Sequence, residues 1–484
     1  MNDEVRVRIA PSPTGFFHIG TARTALFNYL YAKKYDGKFI LRIEDTDKAR
    51  SKEEFEIDIE NGLSWLGLGW DEGPETPDLF GPYRQSERSG IYKKFIDQLL
   101  VDKKAYYCYC TEEELERERK EQEKNHQAPK YSGKCRNLSS EKIETYKKEG
   151  RKPALRFIVE PQKIKFKDLV HGEMEFDSSL FSDFIIVKSD GTPVFMFAGV
   201  IDDSEMKISH VIRGDDHLSN TPKQLLLASA MNLPLPEYGH MPTILNPDRT
   251  KMSKRKDPVS ITHDFKEKGY LPEAMINFMA FLSWTPKENK EIFSLDELIG
   301  EFDLADVNKS PAIFDEKKLD YLNGYYIRKM QLGELAKRCL PYMEKEGLVK
   351  KEKEGVLNAL GLVQERMKKL SEAPELTEFM FRKPKYEASL LIGKKSDKET
   401  TIKGLTEALK ILEEEKDFTR DSIEQLLRAL ASKIEIEAGK ILWSIRVALS
   451  GKPASPGVFE LVEYFGKTET LARIKTAIDM LKSN

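Results

Sequence analysis

The chain has 484 residues, more than one hydrophobic core usually supports, so three to five structural units are expected. A composition of 40% apolar and 33% charged residues excludes a disordered or fibrous protein. The net charge of −3, from 78 basic against 81 acidic residues, neither announces nor excludes a nucleic-acid partner, since basic patches can segregate within a near-neutral total.

Apolar runs such as Met275 to Trp284 fall short of the roughly 20 residues that span a bilayer, so no membrane association is expected. The first residues lack the basic and apolar regions of a signal peptide. Four cysteines in this length give no disulfide framework, which suits a reducing, cytoplasmic setting.

In chain order, Val5 to Ala10 alternates as a short strand does, and Pro11, Pro13 and Gly15 break it. Thr21 to Tyr35 has helical spacing through Ala22, Leu26, Tyr29 and Leu30, with Gly37 placed as its stop. Lys38 to Ile43 reads as a buried strand. Strand, loop, helix, strand is the opening of a doubly wound nucleotide-binding domain. Residues 105–193 differ: they run from Tyr106-Tyr107-Cys108-Tyr109-Cys110 through a charged helix, Glu112 to Lys124. There an Asp190-Gly191 turn between Phe184–Lys188 and Val194–Phe197 predicts a hairpin. This stretch reads as an α+β insertion. The α/β pattern resumes with a strand at Ile208 to Arg213 and a helix from Pro222 to Met231. Pro272 to Trp284 predicts a buried helix, and almost everything after 330 is helical. Pro456 is placed to open the last of these helices at its N1 position, with Val458, Leu461, Val462 and Phe465 as the apolar stripe.

Two segments carry the chemistry. Arg8-Ile9-Ala10-Pro11-Ser12-Pro13-Thr14-Gly15-Phe16-Phe17-His18-Ile19-Gly20-Thr21 lies where a strand gives way to a helix, and such a junction offers N–H groups and a positive dipole to phosphate. Lys251-Met252-Ser253-Lys254-Arg255 puts three cations in five residues, and a basic loop of that kind can stabilise a leaving pyrophosphate. Either alone is more often an ordinary turn. Arg8, Glu44 and Arg213, each taken alone, are more often surface salt-bridge partners.

Together the two segments resemble the ATP-handling motifs of class I aminoacyl-tRNA synthetases, and the flanking residues are similar to those of the glutamyl branch. The resemblance extends through Gly81-Pro82-Tyr83-Arg84-Gln85-Ser86-Glu87-Arg88, Asp215-Asp216-His217-Leu218-Ser219-Asn220-Thr221-Pro222 and Arg446-Val447-Ala448-Leu449-Ser450-Gly451. It implies a Rossmann-type α/β catalytic domain split by an α+β insertion and followed by an all-α anticodon-binding region. The implied boundaries are 1–104 and 194–250 for the catalytic halves and 105–193 for an acceptor-stem insertion. A stem-contact domain would span 251–330 and helical anticodon-binding domains 331–484.

The same resemblance implies catalytic roles for His18, Lys251 and Lys254. It implies ATP contacts at Ser12, Thr14, Gly15, His18, Gly20 and Lys254, with Mg2+ accompanying ATP. Glutamate contacts fall at Arg8, Ala10, Ser12, Glu44, Phe195 and Arg213. Phe195 stands where the family commonly has Tyr, and Gly199 where some members have Asn, so two polar contacts of that pocket are missing. Cys108, Cys110, Tyr131 and Cys135 resemble a zinc site of some members, with His126 a nearby alternative for the fourth ligand; simple packing of the cysteines is the other reading. The expected activity is charging of tRNA-Glu with L-glutamate by a monomer, the alternatives being an enzyme that also charges tRNA-Gln and a non-catalytic RNA-binding paralogue.

Overall fold

Arg6–Ile9 (β1) is followed by a helix, Ile19–Lys34 (α1), and by Lys38–Leu41 (β2), which pairs with β1 in parallel from Arg6 opposite Lys38 to Ile9 opposite Leu41. Phe39, Ile40 and Leu41 make β2 apolar on both faces, whereas β1 buries Val7 and Ile9 on one face and Arg6 and Arg8 on the other. The turn between α1 and β2 departs from expectation in one residue. Asp36, with φ of 48°, takes the left-handed position, while the Gly37 N–H closes back on the Ala32 carbonyl at 2.8 Å. Gly37 is needed for another reason: a Cβ there would lie 2.2 Å from the Val5 carbonyl oxygen.

The computed structural model describes residues 4–76, 80–252, 259–349 and 354–483. They fall into two compact units, Met1–Lys266 with Pro272–Leu319, and Glu267–Leu271 with Asp320–Asn484.

In the first unit Glu53–Trp65 (α2) and Ser89–Val101 (α3) follow β2. Ala105–Cys108 (β3), Ala154–Phe157 (β4) and, further on, Phe184–Val187 (β7) then form an antiparallel sheet in the order β3-β4-β7. Between β3 and β4 lie Glu112–Lys124 (α4), whose Thr111 and Glu114 close a capping box, and Ser140–Lys148 (α5). Lys163–Asp168 (β5) and Gly172–Asp177 (β6) make a hairpin. The chain continues through Phe195–Glu205 (α6), His210–Gly214 (β8), Thr221–Ala230 (α7), Glu237–Met241 (β9) and Pro272–Phe281 (α8).

The six-stranded sheet runs β2-β1-β8-β9-β5-β6, with all neighbours parallel except β5 and β6. The hairpin from the 105–193 stretch therefore extends the sheet that carries the nucleotide-binding pattern, through the pairing of Asp168 with Tyr238. The expected hairpin at Asp190-Gly191 forms only its turn. Gly191 takes φ of 85° and Val194 donates to the Ile186 carbonyl at 2.9 Å, but only Pro193 bridges back, to Val187. Pro193 has no N–H for a ladder, and the apolar run after it is taken up by α6, which buries Phe197, Ala198, Val200 and Ile201.

The second unit contains no strand among its described residues. Its helices include Leu332–Lys345, Ala373–Phe381, Lys398–Glu414, Arg420–Lys433, Ala438–Ser450 and Val458–Ser483, the last bent at Gly466. Pro456 is not at N1. The helix begins at Val458, and the Gly457 N–H is satisfied by the Glu460 carboxylate at 2.7 Å, which moves the start past the proline. Val458, Leu461 and Val462 are buried, as the stripe predicts. The Arg473 guanidinium donates to the carbonyls of Phe379 at 2.8 Å and Leu449 at 2.5 Å, satisfying helix-end acceptors from inside the bundle.

Candidate active site

The C-terminal ends of the parallel strands surround a cavity of about 570 Å³, the place where doubly wound sheets hold ligands. β1 and the chain after it supply Arg8, Ala10 and Ser12; the head of α1 supplies His18 and Gly20. Glu44 enters from beyond β2, Phe195 from the head of α6, Arg213 from β8 and Lys251 from the chain after β9. Thr14 and Gly15 do not line this cavity; the Thr14 N–H closes a turn on the Ser12 carbonyl at 2.8 Å. Lys254 lies outside the described residues.

One end of the cavity is built for anions. His18 is the N-cap of α1, and its Nδ1 accepts from the Gly20 N–H at 2.9 Å. A neutral imidazole held this way carries its proton on Nε2, the donor form that a phosphate oxygen would meet. The segment after the second motif is joined to the first. Ile19 donates to the Val259 carbonyl at 2.8 Å, and Ile261 to that of Phe17 at 2.9 Å. Asp58 of α2 accepts from the Phe17 N–H at 2.6 Å and from the Thr262 hydroxyl. Met252 lines the cavity and Val259 pairs at its edge, so both flanks of the residues around Lys254 are anchored there.

The other end is built on buried charge. The Arg8 Nε donates to Asp203 Oδ1 at 3.0 Å, and Arg42 donates to the same oxygen at 2.6 Å and to Glu44 Oε1 at 3.0 Å. Asp202 holds Arg88 at 2.6 Å and accepts from Gln85 and Tyr92. Burial pushes the Glu44 carboxyl above the usual range, against the pull of Arg42. For Asp203 burial acts the same way, but Arg42 and Arg8 outweigh it and hold the group below that range.

Arg213 has a different environment. It is 6% exposed, and its partners are neutral: His240 Nε2 at 3.1 Å, Thr221 Oγ1 at 2.8 Å and Gln224 Oε1 at 2.6 Å. No carboxylate pairs with it among the described residues, and burial pulls its pKa down to about 10. A buried cation without a counter-ion, lining a cavity, is a receptor for an anionic ligand. His240 in turn meets Asp168 Oδ2 at 2.6 Å. Burial lowers the His240 pKa, whereas the Asp168 carboxyl, despite its own burial, is held low by His240 and by the N–H groups of His171 and Val170.

Phe195 lines the cavity with its ring 5.2 Å from that of His217. One turn on, a Cβ at Gly199 would lie 3.8 Å from Gln224 Nε2 and 4.0 Å from Arg42 Nη2, ordinary contact distances. Both departures from the glutamyl motifs thus fall on one face of α6.

The cysteines form a second cluster. The sulfurs of Cys108, Cys110 and Cys135 lie within 4.8 Å of one another, and Tyr131 Oη is 3.4 Å from the first and 3.6 Å from the second. Hydrogen bonds from Cys110 and Cys135 pull the Cys108 thiol well below its usual value. Three thiolates around zinc at about 2.3 Å would be separated by distances of this order, so the donor set fits the ion. His126 is exposed and does not join the cluster. Cys339 is buried alone.

Sequence reasoning missed Arg42, Asp203, Asp168 and His240. The first two had a signal: Arg42 interrupts an apolar strand and Asp202-Asp203 an apolar helix, so each had to be buried with a partner. Asp168 and His240 had none, because 72 residues separate them and only the pairing of β5 with β9 brings them together.

Residues 4–321 match the family model described as tRNA synthetases class I (E and Q), catalytic domain, and residues 334–478 match one described as an anticodon binding domain. The chain is 43% identical to glutamate–tRNA ligase 1 of Caldanaerobacter subterraneus, over 100% of this chain and 99% of that protein. It is also 43% identical to the glutamate–tRNA ligase of Bacillus subtilis, over 98% and 100%. A crystal structure of a glutamate tRNA ligase from Elizabethkingia meningosepticum, in complex with its amino acid, superposes with a TM-score of 0.88 at 36% identity, covering 99% of this chain and 100% of that one. The chain belongs to the glutamate–tRNA ligases of the class I aminoacyl-tRNA synthetases.

Proposed function

We propose that this cavity activates L-glutamate with ATP and that the protein then transfers the glutamyl group to the 3′ end of tRNA-Glu. Arg213, buried and without a carboxylate partner, carries the reading: with Arg8 it would take the side-chain carboxylate. Glu44, whose Oε1 is held by Arg42, would take the ammonium through its other oxygen. The α-carboxylate then attacks the α-phosphorus, forming the acyl-phosphate bond as the bond to pyrophosphate breaks. His18 and the N–H groups at the head of α1 would donate to phosphate oxygens, and Lys251 and Lys254 would offset charge on the departing pyrophosphate. Class I synthetases use ATP with Mg2+, which adds positive charge to the triphosphate. In the second step a terminal ribose hydroxyl attacks the carbonyl carbon and AMP leaves.

Residues 105–193 would receive the acceptor stem, 251–330 would contact the stem below it, and the helices after 331 would grip the anticodon, which the match at 334–478 supports. Zinc would sit on Cys108, Cys110 and Cys135 with Tyr131 beside them, fixing the insertion's local fold. A monomer in the cytoplasm, the setting typical of the family, completes the reading, and no described helix is long and apolar enough to cross a membrane. The test is ATP–pyrophosphate exchange with tRNA-Glu present. Exchange that depends on glutamate, and not on glutamine, supports the reading; exchange indifferent to glutamate overturns it. A tRNA-Gln arm shows whether a second tRNA is charged.

A further inference from the structure

The contacts around Arg213 have a consistent donor direction. The Asp168 carboxylate can only accept, so the His240 Nδ1 facing it at 2.6 Å carries the proton. The other ring nitrogen, Nε2, is then a lone pair, and it meets the Arg213 Nε–H at 3.1 Å and the Thr221 hydroxyl at 3.0 Å. The Arg213 Nη2 spends its two N–H bonds on Thr221 and Gln224. The two N–H bonds of Nη1 have no acceptor among the described residues, and the residue lines the cavity. His240 and Asp168 are both fully buried around their contact, so water does not substitute for either.

We infer that Asp168 and His240 are a positioning pair that orients Arg213 through a neutral imidazole, leaving its charge and its Nη1 edge to the substrate carboxylate. The inference rests on the glutamate-binding role proposed above. A carboxylate placed directly against Arg213 would hold it equally still but would neutralise it. With the histidine interposed, the negative charge stays one ring away, and the guanidinium is fixed by acceptors that do not compete with the ligand. Asp168 comes from β5, in the hairpin of the 105–193 stretch, so a segment proposed to meet the acceptor stem also sets the geometry of amino-acid recognition.

The structure offers a conservative perturbation. Asp168 Oδ1 accepts from the backbone N–H groups of Val170 at 2.9 Å and His171 at 2.8 Å, while Oδ2 faces His240. In Asp168→Asn the carboxamide oxygen keeps the backbone bonds and its NH2 turns to Nδ1. The ring proton must move to Nε2, which would then point at the Arg213 Nε–H, donor against donor.

The experiment measures KM and kcat in ATP–pyrophosphate exchange with tRNA-Glu, for the full-length wild type, Asp168→Asn, His240→Asn and His240→Gln. Histidine 15N spectra of the same proteins report which ring nitrogen is protonated. Losing a hydrogen bond to a charged group should raise the glutamate KM by about 10- to 100-fold in Asp168→Asn and His240→Asn, with kcat and the ATP KM within about threefold. His240→Gln, whose side-chain oxygen can reach the Nε2 position, should keep more glutamate affinity than His240→Asn. The His240 proton should sit on Nδ1 in the wild type and on Nε2 in Asp168→Asn.

A glutamate KM in Asp168→Asn within about twofold of wild type would overturn the inference. So would a parallel worsening of both KM values together with a lowered Tm, the mark of a purely structural pair. If the wild type itself shows no glutamate-dependent exchange, the proposed function fails. The spectra then still decide the pair, since an Nδ1–H ring retained in Asp168→Asn overturns it without any substrate.

Discussion

Replacing Arg213 with glutamine should separate activity from stability. The side chain is 6% exposed, and burial takes its pKa from 12.5 to about 10. That difference converts to roughly 3 kcal/mol against the charged form in the folded protein. Arg213→Gln removes this penalty but also loses the bonds to His240, Thr221 and Gln224, at about 1 kcal/mol each. The opposing contributions nearly cancel, so denaturant unfolding should place the variant within about 1 kcal/mol of wild type, where an ordinary buried-site loss costs more. Catalysis should respond very differently. Deleting one partner of a buried charge pair costs about 2–5 kcal/mol, and Arg8 remains as a second cation. The glutamate kcat/KM in pyrophosphate exchange should therefore fall by about 100-fold or more, with the ATP KM little changed. Unchanged glutamate kinetics would refute the reasoning, as would a stability loss large enough to explain the defect by itself.

Lys254→Ala should slow glutamyl-adenylate formation by roughly 10²- to 10³-fold while glutamate binding changes little; single-turnover formation of the adenylate reads this, and near-normal turnover would remove the loop from the mechanism. Asp203→Asn should destabilise the protein by about 3–5 kcal/mol, because the oxygen that Arg8 and Arg42 share loses its charge and leaves two buried cations under-compensated. Since the Asp203 pKa is held below its ordinary 3.8, its stabilisation is complete above about pH 4 and is lost as pH falls through the folded value; the variant's stability profile should be flatter there. Protein purified without chelator should hold about one equivalent of zinc, lost in Cys110→Ser; less than about 0.1 equivalent, with no unfolding in EDTA, would favour packed cysteines.

The elements that position the site were legible where the pattern is local. Val5 to Ala10, the helix after His18, and the strand that ends in Arg213 each announce themselves by spacing, and the two cation-bearing motifs do so by composition. What failed locally failed for a reason. Asp36 rather than Gly37 takes the left-handed turn, because the glycine is reserved for the close approach to Val5. The apolar run after Pro193 predicts a hairpin strand, but burial on all sides selects α6 instead. The second tier of the site could not be seen at all. Asp168, His240 and Gln224 act on Arg213 only because β5 joins β9 and α7 packs above them, a matter of sheet order rather than of spacing.

The most direct test of the central claim is aminoacylation of purified tRNA-Glu by the full-length protein with ATP and magnesium, comparing labelled glutamate with labelled glutamine. A cavity that presents an unneutralised buried arginine should charge glutamate and reject the uncharged amide by about 10³-fold or more in kcat/KM, because glutamine leaves that cation unpaired. Comparable charging of the two amino acids, or charging of neither, would contradict the account.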